Sequence, residues 1–145
     1  MKVMLNTNVY GRPFDKLNSK EIIEEASASF EIFSLACLGK FEIVTPDVLI
    51  SEIKMIKDKL KRKFILHLVK HVSNERVRLD GETIKIADTI SSLIKDYMDS
   101  LHVAFAAVNT CDYLVTCDKD LLRAAERTEN LLSQNGFKLQ IISPA

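Results

Sequence analysis

Glycine is scarce, with four in 145 residues, and no glycine-rich loop follows the first hydrophobic segment. That disfavours a flavodoxin-like or other nucleotide-binding α/β protein, which cradles phosphate on such a loop. Cysteine is equally sparse. Cys37, Cys111 and Cys117 are odd in number and lack metal-ligand spacing. No disulfide framework follows from them, and the plain expectation is reduced thiols in a cytoplasmic protein. Net charge is absent too: 20 Lys+Arg face 20 Asp+Glu. The chain as a whole therefore has no pull on nucleic acid, and any such binding must use a local patch. No apolar run approaches the ~20 residues that span a bilayer, so no membrane association is expected. The opening Met1–Leu5 turns polar at Asn6, too early for a signal peptide, and reads instead as a buried strand.

What the sequence does hold is a large apolar fraction, 47%. That is ample for one core, and the length suits a single domain over residues 1–145. Val3–Leu5 predicts a strand closed by the polar turn-formers Asn6, Thr7 and Asn8. Gly11–Asp15, with Pro13, predicts a loop. Ser19 is a good N-cap for a helix whose apolar residues run from Ile22 to Leu38, with Gly39 as its stop. Phe41–Val44 predicts a strand, and Pro46 opens a helix. Helical patterns follow over Leu60–Val72 and Glu82–Ile94, the second weakened by β-branched residues. Arg76–Leu79 between them is ambiguous. Asp99–Val108 is almost wholly apolar or small and reads as a buried helix. Tyr113–Thr116 predicts a strand, Lys119–Leu132 a helix ended near Gly136, and Phe137–Ile142 a last strand. Strands alternate with helices throughout, so the expected fold class is α/β with a mainly parallel central sheet covered on both faces.

Sites on such sheets gather beyond the C-terminal ends of the strands. Asn6 and Asp118 each follow a predicted strand, and Asp99 opens a helix, where the dipole tolerates negative charge. Carboxylates placed in this way are how a fold collects a hard cation. Glu52 lies between them in sequence, with Asp47 close by on the same segment as a competing acid.

These residues resemble the PIN-domain family, which includes VapC-type nuclease toxins of toxin–antitoxin pairs. The resemblance runs over essentially the whole chain. It rests on Leu5-Asn6-Thr7-Asn8-Val9-Tyr10, on Glu52, on Asp99-Ser100-Leu101-His102, and on Leu114-Val115-Thr116-Cys117-Asp118 with Asp120 two residues on. Each motif alone is weak; four in the right order make a fairly specific signal. The resemblance implies a three-layer α/β/α Rossmann-like domain, Mg²⁺- or Mn²⁺-dependent cleavage of RNA phosphodiesters, a cognate antitoxin and a homodimer. It maps Glu52, Asp99 and Asp118 onto the family's acidic metal-binding cluster, with Asp120 as an auxiliary member. Asn6 occupies the slot of the family's first aspartate.

Mg²⁺ needs only one or two direct carboxylates besides water and substrate phosphate, so the three remaining acids are chemically sufficient. Bound there, an ion would polarise a phosphoryl oxygen and acidify an attacking water. Asn6 can offer an amide oxygen but neither charge nor basicity. Reduced or absent activity is expected, and both a natural variant and a deliberate Asp→Asn inactivation account for it. The alternative function is a non-catalytic module that binds RNA or a protein partner.

Other residues carry two readings each. Thr7 and Asn8 serve either substrate or a capped turn. Thr116 either donates its hydroxyl to an acidic neighbour or merely ends a strand. His102, three residues after Asp99, reads as a packed core histidine, with approach to metal or substrate as the alternative. His67 and His71 have i, i+4 spacing but no third ligand, and read as surface residues. Lys54–Lys63 holds six basic residues against one acid. As a basic helix beside the acidic site, its Lys57, Lys61 and Arg62 suit a phosphate track; a solvated face is the plain alternative. Arg12 is a further candidate phosphate contact.

Overall fold

A computed structural model describes residues 1–145. In chain order the elements are β1 (Lys2–Leu5), α1 (Thr7–Gly11), a 3-10 turn (Arg12–Phe14), α2 (Lys20–Cys37), β2 (Glu42–Pro46), α3 (Asp47–Lys54) and α4 (Lys59–Val72). They continue with β3 (Glu75–Val77), α5 (Gly81–Ile90), α6 (Tyr97–Val108), β4 (Tyr113–Val115), α7 (Lys119–Gln134) and β5 (Gln140–Ile142). The five strands form one sheet in the order β3-β2-β1-β4-β5. Every pairing is parallel, with Val3 opposite Ile43 on one side and Tyr113 on the other.

Successive strand residues point to opposite faces. Val3, Leu5, Ile43 and Val115 pack with Tyr10 of α1, Phe33 of α2, Leu49 and Ile53 of α3, and Ile65 of α4. Met4, Val44, Leu114 and Ile141 pack instead with Ile86 and Ile90 of α5, Phe105 of α6 and Leu121 of α7. Helix α6 is buried all round, which is why small residues dominate it: Ser100, Ala104, Ala106 and Ala107 let it lie close under the strands. Ser19 caps α2 through the Ile22 N–H, and the left-handed Gly39 and Gly136 terminate α2 and α7.

The predicted loop after β1 is largely helical. Asn6 caps α1 by accepting from the Thr7 N–H at 2.8 Å, and the burial of Val9 and Tyr10 holds a helix too short to survive alone. Pro13 sits in the first turn of the 3-10 segment, where its missing N–H costs nothing. The basic stretch Lys54–Lys63 is not one helix. It breaks between α3 and α4, Asp58 caps α4, and Lys57 lies exposed in the break. The predicted Glu82–Ile94 helix starts at Gly81 behind the Asp80 cap and stops at Ile90. Helix α6 starts at Tyr97 with Asp96 as its cap, so Asp99 lies inside its first turn. Arg76–Leu79 resolves into the edge strand β3, which starts one residue earlier and ends two residues earlier.

Candidate active site

The chain runs from β1 out to β2 and β3, then returns to place β4 on the other side of β1. The crevice beyond the C-terminal ends of β1 and β4 is therefore a topological switch point. Asn6 leaves β1 there, and Thr116, Cys117 and Asp118 leave β4.

A small polar network ties these ends together. Asn6 is buried, and its Nδ2 donates to Thr116 Oγ1 at 3.1 Å. Asn8 Nδ2 approaches the same hydroxyl at 3.3 Å, and Asn8 Oδ1 accepts from the Cys117 N–H at 2.9 Å. The Asp118 N–H donates to Thr116 Oγ1 at 3.1 Å. Asp118 in turn caps α7 through the Leu121 N–H at 3.0 Å. Thr116 and Asn8 are thus the joint that orients Asp118.

The acids divide over two open clefts that share Asp99. The first, about 350 Å³, is bordered by Asn6, Thr7, Asn8, Glu52, Asp99 and, opposite, Lys61 with Asp15. The second, about 490 Å³, is bordered by Asp96, Asp99, Asp118, Asp120 and Lys95. Asp99 is half-buried between them. Burial, then the negative charges of Asp118 and Asp96, push its carboxyl up to about 6; His102 and the Asn6 amide pull the other way. An acid held back from ionising in this way is one whose charge the fold does not fully compensate.

Glu52 is differently placed. Its Oε1 accepts from Thr7 Oγ1 at 2.9 Å and is hydrogen-bonded to His102 Nε2. Burial opposes its ionisation, but the His102 and Thr7 hydrogen bonds outweigh it and hold the carboxyl below its ordinary range. His102 is fully buried, as a core histidine would be, yet it faces the site.

The remaining candidates spread out. Asp120 is exposed at the start of α7 and bonds Arg123 at 2.9 Å. Arg12 is committed to Asp15 at 3.1 Å and Glu25 at 3.2 Å, so its guanidinium is bound inside the protein rather than offered to a phosphate. Lys61 borders the first cleft and pairs with Asp15 at 2.9 Å. His67 and His71 are exposed on α4. Two participants escaped the sequence reading. Asp96 carried a signal, lying three residues before Asp99 on the same helix face. Asp15 carried none, because only the folding of the 3-10 turn against α4 brings it to Lys61.

No three His, Cys, Asp or Glu side chains are placed to enclose one ion. Asp99 and Asp118 are the two carboxylates that could hold an ion completed by water. The charge of Asp118 adds to burial in opposing ionisation of Asp99, and a cation there would relieve both.

No protein-family model and no curated protein matches the sequence. Solved structures do match in fold. One is VapBC2 from Rickettsia felis, bound to a DNA fragment from their promoter: TM-score 0.62 at 17% identity, covering 97% of this chain and 98% of that one. Another is FitAcB from Neisseria gonorrhoeae: TM-score 0.60 at 14% identity, covering 98% of this chain and 97% of that one. The chain has a VapC/PIN-like α/β fold built on a five-stranded parallel sheet. No helix in it is long and apolar enough to cross a membrane.

Proposed function

We propose that this chain is a three-layer PIN-like ribonuclease of toxin–antitoxin type, using Mg²⁺ or Mn²⁺ to hydrolyse RNA phosphodiesters, with activity lowered by Asn6. The observation that carries the reading is that Asp99 and Asp118 border one cleft at the switch point, where burial and then the charge of Asp118 hold the Asp99 carboxyl up to about 6. Both structural neighbours are toxin–antitoxin complexes, which supports a cognate antitoxin as partner. A homodimer and a cytoplasmic location belong to the same reading.

In this reading Asp99 and Asp118 hold the ion, and Asp120 stands behind them as an outer carboxylate. Glu52 faces the cleft as the third acid. The chemistry such an ion supplies when bound is polarisation of a phosphoryl oxygen and acidification of a water. Lys61 borders the first cleft with Glu52 and Asp99 and suits the phosphate backbone, and Lys57, exposed between α3 and α4, is the second candidate contact. Thr7, Asn8 and Thr116 serve by holding Glu52 and Asp118 in place rather than by touching substrate.

A second reading has its own observation. The Asn6 amide bonds the Thr7 N–H and Thr116 and leans on Asp99, so Asn6 acts as a neutral scaffold and brings no charge to an ion. That favours a non-catalytic module binding RNA or a protein. One comparison separates the two: RNA cleavage by this chain and by Asn6→Asp, each with Mg²⁺, Mn²⁺ and EDTA. The nuclease reading expects the Asp form to cut at least ten-fold faster and EDTA to stop it. Loss of Mn²⁺ binding in both forms, with RNA affinity intact, would establish the binding module.

A further inference from the structure

His102 is buried to 0% exposure on α6, yet its Nδ1 has no hydrogen-bond partner. A buried unsatisfied nitrogen is costly, and an apolar side chain of similar size would avoid it. Core packing alone therefore does not account for an imidazole here. Its other nitrogen explains it. Nε2 reaches from α6 to α3 and meets Glu52 Oε1, the same oxygen that accepts from Thr7 Oγ1 of α1. Three helices converge on one carboxylate oxygen. Glu52 Oε2 has no bond to protein, and the residue borders the first cleft with Asp99.

We propose that His102 is a positioning residue: with Thr7 it pins one oxygen of Glu52, so that the other faces the cleft in a fixed direction. The inference rests on the proposed metal-dependent function for its consequence, but not for its geometry. A half-buried glutamate has three rotatable bonds and would otherwise sample several rotamers. Two donors from separate elements select one of them. Partners that orient an acidic ligand from behind change metal affinity by about 10–100-fold when removed.

The substitutions exploit side-chain shape. In His102→Gln the amide nitrogen falls near the position of Nε2, whereas in His102→Asn it falls near Nδ1 and cannot reach Glu52. His102→Leu keeps the volume and removes both nitrogens. Two measurements on the full chain decide the matter. The first needs no metal: a long-range ¹H–¹⁵N spectrum of the imidazoles should place a proton on Nε2 of His102, and Glu52→Ala should move that signal. A bare Nε2 overturns the proposal.

The second is Mn²⁺ titration, with thermal melting as a control. His102→Leu should bind about ten-fold more weakly than the wild type while melting near the same temperature, His102→Asn should bind as weakly but melt lower because it buries an unpaired amide, and His102→Gln should bind within about three-fold. Equal Mn²⁺ affinity in wild type and His102→Leu overturns the positioning role while leaving the metal reading intact. A wild type that binds no Mn²⁺ defeats the metal reading and the consequence drawn here, and the imidazole spectrum then separately decides whether the clasp exists.

Discussion

Asp99→Asn should make the folded protein more stable near neutral pH while weakening its site. The carboxyl is pushed up to about 6 from an ordinary 3.8, by burial first and then by Asp118 and Asp96. An acid whose pKa is higher in the folded state binds its proton more tightly there. Its ionisation therefore opposes folding. The cost is absent below about 3.8, grows as pH rises through the window to about 6, and is complete above it. Unscreened, a shift of that size corresponds to about 3 kcal/mol. Asp99 is half-exposed, so solvent screening reduces this to about 1.5 kcal/mol. The α6 dipole favours a first-turn carboxylate by about 0.5 kcal/mol, which the asparagine forfeits. A net gain of about 1 kcal/mol remains, or about 3 °C in melting temperature for a domain of this size.

The assay is urea unfolding of both proteins in EDTA at several pH values from 4 to 8. The gain should vanish near pH 4 and be full by pH 7. Adding Mg²⁺ should then raise the wild-type midpoint more than that of Asp99→Asn, which keeps Asp118 but has lost one carboxylate that rewards the cation. A variant equally or less stable at pH 7, or a gain independent of pH, would refute the claim that Asp99 carries uncompensated charge.

Three further expectations follow from the same contacts. Asn6→Asp adds a fourth acid beside Asp99 and should lower the melting temperature in EDTA by a few degrees; no decrease would mean that Asn6 and Asp99 are electrostatically separate. Arg12→Ala strips the buried Glu25 of its cation and should cost about 3 kcal/mol in urea unfolding, with RNA affinity unchanged; a loss of RNA affinity without destabilisation would return Arg12 to the substrate track. Lys61→Gln should weaken RNA binding by several-fold at low salt and reduce the salt dependence by about one phosphate contact. An unchanged slope would place the RNA elsewhere.

Much of the fold was legible because hydrophobic periodicity and stop signals are local. Ser19, Gly39 and Gly136 mark helix ends that the chain adopts, and Asp99–Val108, read as a buried helix from its apolar and small residues, lies within α6. The order of the acids along the chain, each beside a strand end or in an early helical turn, was also visible in the residues. The short α1 was not. Nothing local overcomes Gly11 and Pro13, and it forms because Val9 and Tyr10 find a core assembled from α2, α3 and α4. The break in the basic stretch was left open by the sequence, since Lys57 differs little in propensity from Lys54 or Lys59, and the Asp58 cap decides it.

What the sequence by itself determined is therefore the class of fold, the strand–helix alternation and the inventory of acids. Only the tertiary structure decided how that inventory is used. It split the acids over two clefts about Asp99, bound Arg12 between Asp15 and Glu25, and brought His102 to Glu52 across fifty residues of chain. The reason is physical: periodicity is written within one element, whereas side-chain partnership depends on how separate elements pack, and a parallel sheet joins residues far apart in sequence.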